Sequence, residues 1–243
     1  MLVNRDRDLT AAERRLRAFA DVQQHSRTAA SVEPVARLLE HLQTLPRSGT
    51  LLVGIDGPGG SGKSTVARAL EALAPHEITV VEMDDFYLPS SERHRASGEG
   101  ALGAAYDWRR LLAQVLEPLR GGGRGRYQRY DWDTDELAEW HDVPVGGIVV
   151  VEGVYSTRSE LAGYYDFRIW VTAQPEVRLA RGLERDGEDA RSLWVDEWMP
   201  EEDRYAALDR PRERAHLVVD GASALVEDPS AELAVIGGTA FRA

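Results

Sequence analysis

Residues 57–64 read Gly-Pro-Gly-Gly-Ser-Gly-Lys-Ser, the spacing G-x-x-x-x-G-K-[ST], with Thr65 next. A run of this kind holds phosphate. Gly57, Gly59, Gly60 and Gly62 carry no Cβ, so backbone N–H groups from Gly57 through Ser61 to Thr65 can converge on phosphate oxygens. A helix opening here adds the positive end of its dipole. The Lys63 ammonium reaches the terminal phosphates of ATP, and the Ser64 hydroxyl is placed to ligate Mg²⁺. Lys63 is also the only lysine among 29 Lys and Arg. A compact ammonium reaches beneath a loop more readily than a wide, directional guanidinium.

A phosphate held in this way needs a destination. The segment "VVEMDDFY" ends an apolar run with two adjacent carboxylates, Asp84 and Asp85. At a strand end neighbouring side chains point to opposite faces, so one of the two can look toward the loop. An ionised aspartate there orients an alcohol by accepting its hydrogen bond, then takes the proton as the bond to phosphorus forms. The alternative is that both residues cap a turn.

Positioning such groups requires a rigid frame, and the pattern from Thr50 onward supplies one. "TLLVGI" (50–55), "ITVVEM" (78–83), "GIVVVEG" (147–153), "FRIWVT" (167–172) and "AHLVVDG" (215–221) read as five buried strands. Helices are expected at 62–73, 106–119, 174–186 and 190–209, with Asp186 and Gly187 ending the third. This alternation predicts an α/β fold with a mainly parallel five-stranded sheet flanked by helices, and ligands gathered beyond the carboxyl ends of the strands. Residues 1–48 read as an N-terminal helical extension. Its first helix runs from Leu9 to about His25, and its second covers 31–45, capped by Ser31 with an early Pro34. Residues 225–243 read as a C-terminal tail.

Composition narrows the function. A net charge of −12 argues against a nucleic-acid partner. On that ground the Arg-, Gly- and aromatic-rich stretch "GGGRGRYQRYDW" is read as a loop leading into a substrate-side strand. Cysteine is absent, and the six histidines are scattered without metal-ligand spacing. No apolar run approaches the roughly 20 residues of a membrane helix, and the first residues lack a signal-peptide core, so no membrane partner and a cytoplasmic location are expected. Trp194 and Trp198, one helical turn apart, read as helix packing.

The series "GIDGPGGSGKST", "MDDFY", "YDW", "RYDWD", "VVVEGVY" and "RLARGLERD", in this order from about Leu51 to Asp220, resembles the uridine kinase and phosphoribulokinase family of P-loop kinases. The resemblance implies a P-loop NTPase fold of nucleoside/nucleotide kinase type over residues 49–224, with a lid helix. It implies that Asp84 is the catalytic base and lies near the metal, and that Tyr87 lines the acceptor pocket. It further implies that Asp107 bonds ribose hydroxyls, that Tyr130 sits beside the nucleobase, and that Glu152 stands near Mg²⁺ at the acceptor side. Arg178, Arg181 and Arg185 fall on the implied lid helix. Their spacing of three and four gives them one face, from which guanidinium groups would stabilise the transferring phosphoryl group while the lid excludes water.

One departure bears on the substrate. The pyrimidine nucleoside kinases carry a base-reading His shortly after their Tyr-Asp pair, whereas no His follows Tyr130 and Asp131 here until His141. A polyhydroxyl or cationic acceptor would suit the extra acids Asp133 and Asp135, and a phosphorylated acceptor would need Arg124, Arg126 and Arg129. The expectation is an ATP- and Mg²⁺-dependent kinase of a small-molecule alcohol, a nucleoside first. The alternatives are a kinase of a non-nucleoside alcohol or sugar phosphate, as in phosphoribulokinase or pantothenate kinase, and an acceptor-independent ATPase or switch. Oligomeric state is open, and a homo-oligomer is allowed.

Overall fold

The computed structural model describes residues 30–47, 49–96 and 102–241. The first expected helix, Leu9 to about His25, lies outside them. The five expected strands form as β2 (Leu51–Asp56), β3 (Ile78–Glu82), β6 (Ile148–Glu152), β7 (Phe167–Thr172) and β8 (Leu217–Asp220). They pair parallel in the order β8-β7-β2-β6-β3. Runs of Val, Ile and Leu suit this place because both sheet faces are covered.

The period of two decides which cover each residue meets. Leu51, Val53 and Ile55 face one layer, where Val66 and Leu70 of α2 (Lys63–Leu73) and Leu38 and Leu42 of α1 (Val35–Thr44) pack. Leu52, Val149 and Val151 face the other, against Leu111, Val115, Leu116 and Leu119. Burying side chains of this size contributes about 1.5–3 kcal/mol each.

Two further strands extend the sheet, so that among the described residues it has seven rather than five. β9 (Glu232–Gly238) pairs antiparallel with β8, and β1 (Ser31–Pro34) pairs antiparallel with β9. Both lie in the segments read as extension and tail. Ser31 is accordingly not a helix cap. It begins a strand, and α1 starts only at Val35, with Pro34 as the residue before it in extended conformation. The backbone ladder to β9 outweighs the helical spacing that "SVEPVARLLEHLQTL" shows on paper.

The helix expected at 106–119 also differs. It begins two residues later, at α4 (Trp108–Leu111; the helix Ser90–Ala96 before it is α3), because the Asp107 carboxylate accepts from the Arg110 N–H and caps it. A π-helical stretch, Leu112–Leu116, then leads into α5 (Glu117–Arg120), with the Glu117 N–H reaching back to the Leu112 carbonyl. Pro118 has no N–H to donate to the preceding turn, which favours a wider turn before it. Beyond α5, β4 (Gly125–Asp131) and β5 (Glu136–Val143) form a separate antiparallel hairpin, so the Arg-rich loop does lead into a strand. On the opposite side α7 runs from Pro175 to Asp186 and ends at Gly187. (The short helix Ser159–Ala162 is α6.) A π-helical turn, Leu193–Trp198, leads into α8 (Met199–Asp209).

Candidate active site

Beyond the carboxyl ends of β2, β3, β6 and β8 lies a cleft of about 890 Å³. Its position follows from topology. β2 stands between β6 and β7, where the chain order along the sheet reverses, and the loops leaving the two sides diverge there.

The loop after β2 forms the floor. Gly57 and Gly60 have φ of 148° and 71°, and a Cβ at Gly60 would approach the Arg178 carbonyl to 2.5 Å. No other residue type fits that geometry without strain. Gly59, Gly60, Gly62, Lys63, Ser64 and Thr65 line the cleft, whereas Gly57 and the buried Ser61 lie beneath. The Lys63 ammonium is 7% exposed and donates to the Pro58 carbonyl at 3.0 Å. Glu152, at the end of β6, is 6% exposed and lines the cleft together with Ser64 and Lys63. Burial pushes its carboxyl above the ordinary glutamate range, against the attraction of Lys63 and the nearby Ser64 hydroxyl.

Asp84 and Asp85 do diverge, though for a different reason from strand alternation. They sit on a 3₁₀ turn, Met83–Phe86, past the end of β3. Asp84 opens into the cleft, where the Tyr106 hydroxyl donates to it at 3.4 Å. Asp85 turns away and accepts from the Tyr127 hydroxyl at 2.7 Å. Tyr87 lines the cleft in a stack with Trp132, ring centroids 4.5 Å apart, and against Tyr106 at 5.0 Å.

Two residues expected around the acceptor take other positions. Tyr130 is 3% exposed and bonds Asp135 at 2.6 Å, supporting Tyr87 and Trp132 from behind. Asp107 caps α4 and lines a neighbouring cavity of about 540 Å³ instead of the large cleft.

The three arginines of α7 also divide. Arg181 and Arg185 line the cleft. Arg181 donates to the carbonyls of Gly60 and Gly221, and Arg185 pairs with Asp186 over the Trp194 ring. Arg178 is 3% exposed and is held beneath the glycine loop by Glu202 at 2.7 Å, Asp203 at 3.3 Å and the Gly59 carbonyl at 3.2 Å. It braces the loop rather than covering the cleft. A spacing of three and four gives residues one side of a helix, but the helix lies close enough to the loop for its first arginine to be covered.

Sequence reasoning missed three features. Asp56, wholly buried at the end of β2, accepts from Gly57 N, Tyr155 N, Thr157 N, Thr157 Oγ1 and the Tyr205 hydroxyl, all within 3.1 Å. It joins the glycine loop, the loop after β6 and α8 through one carboxylate. Burial raises its pKa, against the bonds from Tyr205, Thr157 and Gly57. Glu202 accepts from the Gly59 N–H at 3.1 Å, and burial pushes its carboxyl up despite Lys63 and Arg178. The third is a lobe of the cleft between α2 and the start of β9, lined by Gly221, Ala222, Val226, Pro229 and Leu233. The Asp preceding the Gly-rich run was the only available signal for the first. The other two arise from chain segments far apart in sequence.

Among the described residues no group of three or more His, Cys, Asp and Glu could hold a metal by itself. The same residues contain no helix long and apolar enough to cross a membrane.

Comparison with known proteins places this site in a family. A uridine kinase of Lactococcus lactis is 31% identical over 149 residues, 58% of this chain and 70% of that protein. The uridine kinase of Halobacterium salinarum is 29% identical over 139 residues, 55% of this chain but only 61% of its own length. A solved structure described as a possible uridine kinase from Bacillus stearothermophilus superposes with a TM-score of 0.60 at 22% identity, covering 76% of this chain and 96% of that one. It shares the P-loop kinase fold. A sequence profile of the Phosphoribulokinase / Uridine kinase family matches residues 52–220, more than half of the chain, and the protein therefore belongs to that family of phosphotransferases.

Proposed function

We propose that this family member transfers the γ-phosphate of ATP to the hydroxyl of a small-molecule alcohol, with a nucleoside as the first candidate. One observation carries the reading: Asp84 shares a single cleft with Lys63, Ser64 and the amides of the glycine loop, and the Tyr106 hydroxyl points at its carboxylate. The loop, with its helix N-terminus, grips the triphosphate. Asp84 orients the acceptor oxygen and takes its proton as that oxygen bonds to phosphorus. The bond from phosphorus to the bridging oxygen breaks, and ADP leaves with the electron pair. Arg181 and Arg185 face the transferring group from α7. Tyr87 and Trp132 wall the acceptor.

The residues present fit Mg²⁺, a hard cation that is held by one or two carboxylates together with substrate phosphates. Ser64 and Glu152, which line the same cleft, would hold it, with Asp84 also in that lining. When bound, the ion neutralises charge on the phosphate oxygens. The family and the absence of a membrane-crossing helix among the described residues support a cytoplasmic enzyme.

The test is Asp84→Asn together with ADP release across nucleosides, sugar alcohols and vitamin-like alcohols. The variant should bind ATP with unchanged affinity and lose about 10²–10⁴-fold in transfer. Retained transfer would remove Asp84 as the base. Fast ADP release without any alcohol would favour an ATPase or switch.

A further inference from the structure

The acceptor half of the cleft is built from segments that the motif does not join. Trp132 stacks on Tyr87, Tyr87 meets Tyr106 edge-on at 5.0 Å, and Tyr106 meets Tyr155 at 5.3 Å. The result is one continuous aromatic wall leading away from Asp84. Among the described residues, the charged groups that line the cleft along this wall are carboxylates, while Arg93 packs on the Tyr87 ring from outside the lining. Glu82 and Asp84 come from the end of β3, and Glu201 enters from α8, its carboxylate accepting from the Gly103 N–H at 3.3 Å. Glu201 and Asp84 act on the Tyr87 hydroxyl after burial and Arg93, and Glu201 is the foremost charge acting on Tyr155 after burial.

Cationic groups are placed elsewhere. Among the described residues the cations lining the cleft are Lys63, Arg181 and Arg185, all on the phosphate side. Arg129 is bonded to Asp131 and Glu139 at 2.7 Å each on the hairpin, and Arg126 faces Asp142 across it. Arg93 lies against the Tyr87 ring, donates to the Leu88 carbonyl and faces Asp135 at 3.6 Å. The arginines that a phosphorylated acceptor would need are therefore committed to other partners or lie off the cleft.

We propose that the acceptor half selects by charge: it takes uncharged or cationic alcohols, excludes alcohols carrying a phosphate or carboxylate, and uses Glu201 with Glu82 as the discriminating residues. This rests on the kinase reading and decides between its acceptor classes. An anionic group brought beside two or three carboxylates in a partly enclosed cleft meets repulsion, and the cations lining that cleft among the described residues stand on its phosphate side. A cation gains from both the acids and the aromatic faces, and a neutral ring gains from stacking on Trp132.

The experiment compares matched alcohols: glycerol, glycerate and 3-amino-1,2-propanediol, then ribose and ribose 5-phosphate. ADP release is measured at saturating ATP and Mg²⁺ for the full chain and for Glu201→Gln and Glu82→Gln. Each anionic member should show kcat/KM at least about tenfold below its neutral partner, and the gap should narrow in either variant and with added salt. An anionic member that equals or exceeds its neutral partner overturns the proposal. So does a ratio that neither variant moves. If neither these alcohols nor the nucleosides raise ADP release above the acceptor-free rate, the kinase reading fails separately, and saturation-transfer NMR of the same compounds then tests charge selection alone. Neutral or cationic members binding more tightly than anionic ones support it, whereas anionic preference or no binding by the neutral and cationic members overturns it.

Discussion

The two halves of the cleft are made in opposite ways. The phosphate side is built on a contiguous run, Gly57 to Thr65, whose grip follows from backbone amides and one lysine, with Arg181 and Arg185 added from α7. The acceptor side draws Asp84, Tyr106, Trp132, Tyr155 and Glu201 from five segments and depends on side chains alone. The first half binds a chemical group common to all its donors, so a short motif suffices. The second must fit one class of alcohol, and specificity of that kind comes from placed side chains rather than from a loop geometry.

The comparison can be broken most sharply at Asp84, where Asp84→Asn should abolish transfer and spare ATP binding. Next comes the contrast within α7. Arg178→Ala removes one partner of a buried pair and leaves Glu202 without its guanidinium, which should cost about 3–5 kcal/mol of stability in urea unfolding. Arg185→Ala, at an exposed position, should change stability by less than about 0.5 kcal/mol and lower kcat instead. Equal effects on stability from the two would show that the helix is not divided as described.

A smaller effect is expected at Trp132, which is 51% exposed and stacked on Tyr87. Trp132→Ala should raise the acceptor KM by roughly five- to thirtyfold, as loss of about 1–2 kcal/mol of stacking implies, with the ATP KM unchanged. A rise confined to the ATP KM would move Trp132 to the donor side.

The subtlest test is pH. Burial raises the Glu152 pKa, so the ionised form that faces Ser64 and a cation fills only above the ordinary glutamate range. Activity should therefore fall as pH drops through that raised value. Glu152→Gln, which cannot titrate, should show a low rate without this acid limb. An acid limb that persists unchanged in the variant would assign it to another group.

Glycine-rich spacing, the five apolar runs and the Asp84–Tyr87 segment were readable because each reports a local requirement: amides without Cβ obstruction, strands covered on both faces, a carboxylate at a strand end. The ranges 1–48, 49–224 and 225–243 remain our proposed division, and β1 and β9 show how a ladder can form from its two outer segments. Their backbone bonds depend on a partner far along the chain, which no window of sequence contains. The burial of Arg178 was hidden for the same reason. Helical spacing specifies a face, whereas the distance between α7 and the glycine loop specifies whether that face is open.

The amino-acid order by itself therefore determined the phosphate loop, the parallel centre of the sheet and the family. Only the tertiary structure decided which aspartate enters the cleft, which arginines stay at its surface, and that Asp56 ties three segments together. These are outcomes of packing between distant elements: a carboxylate or guanidinium acquires its role from what lies within about 3 Å of it, and proximity across a fold is not written at any single position.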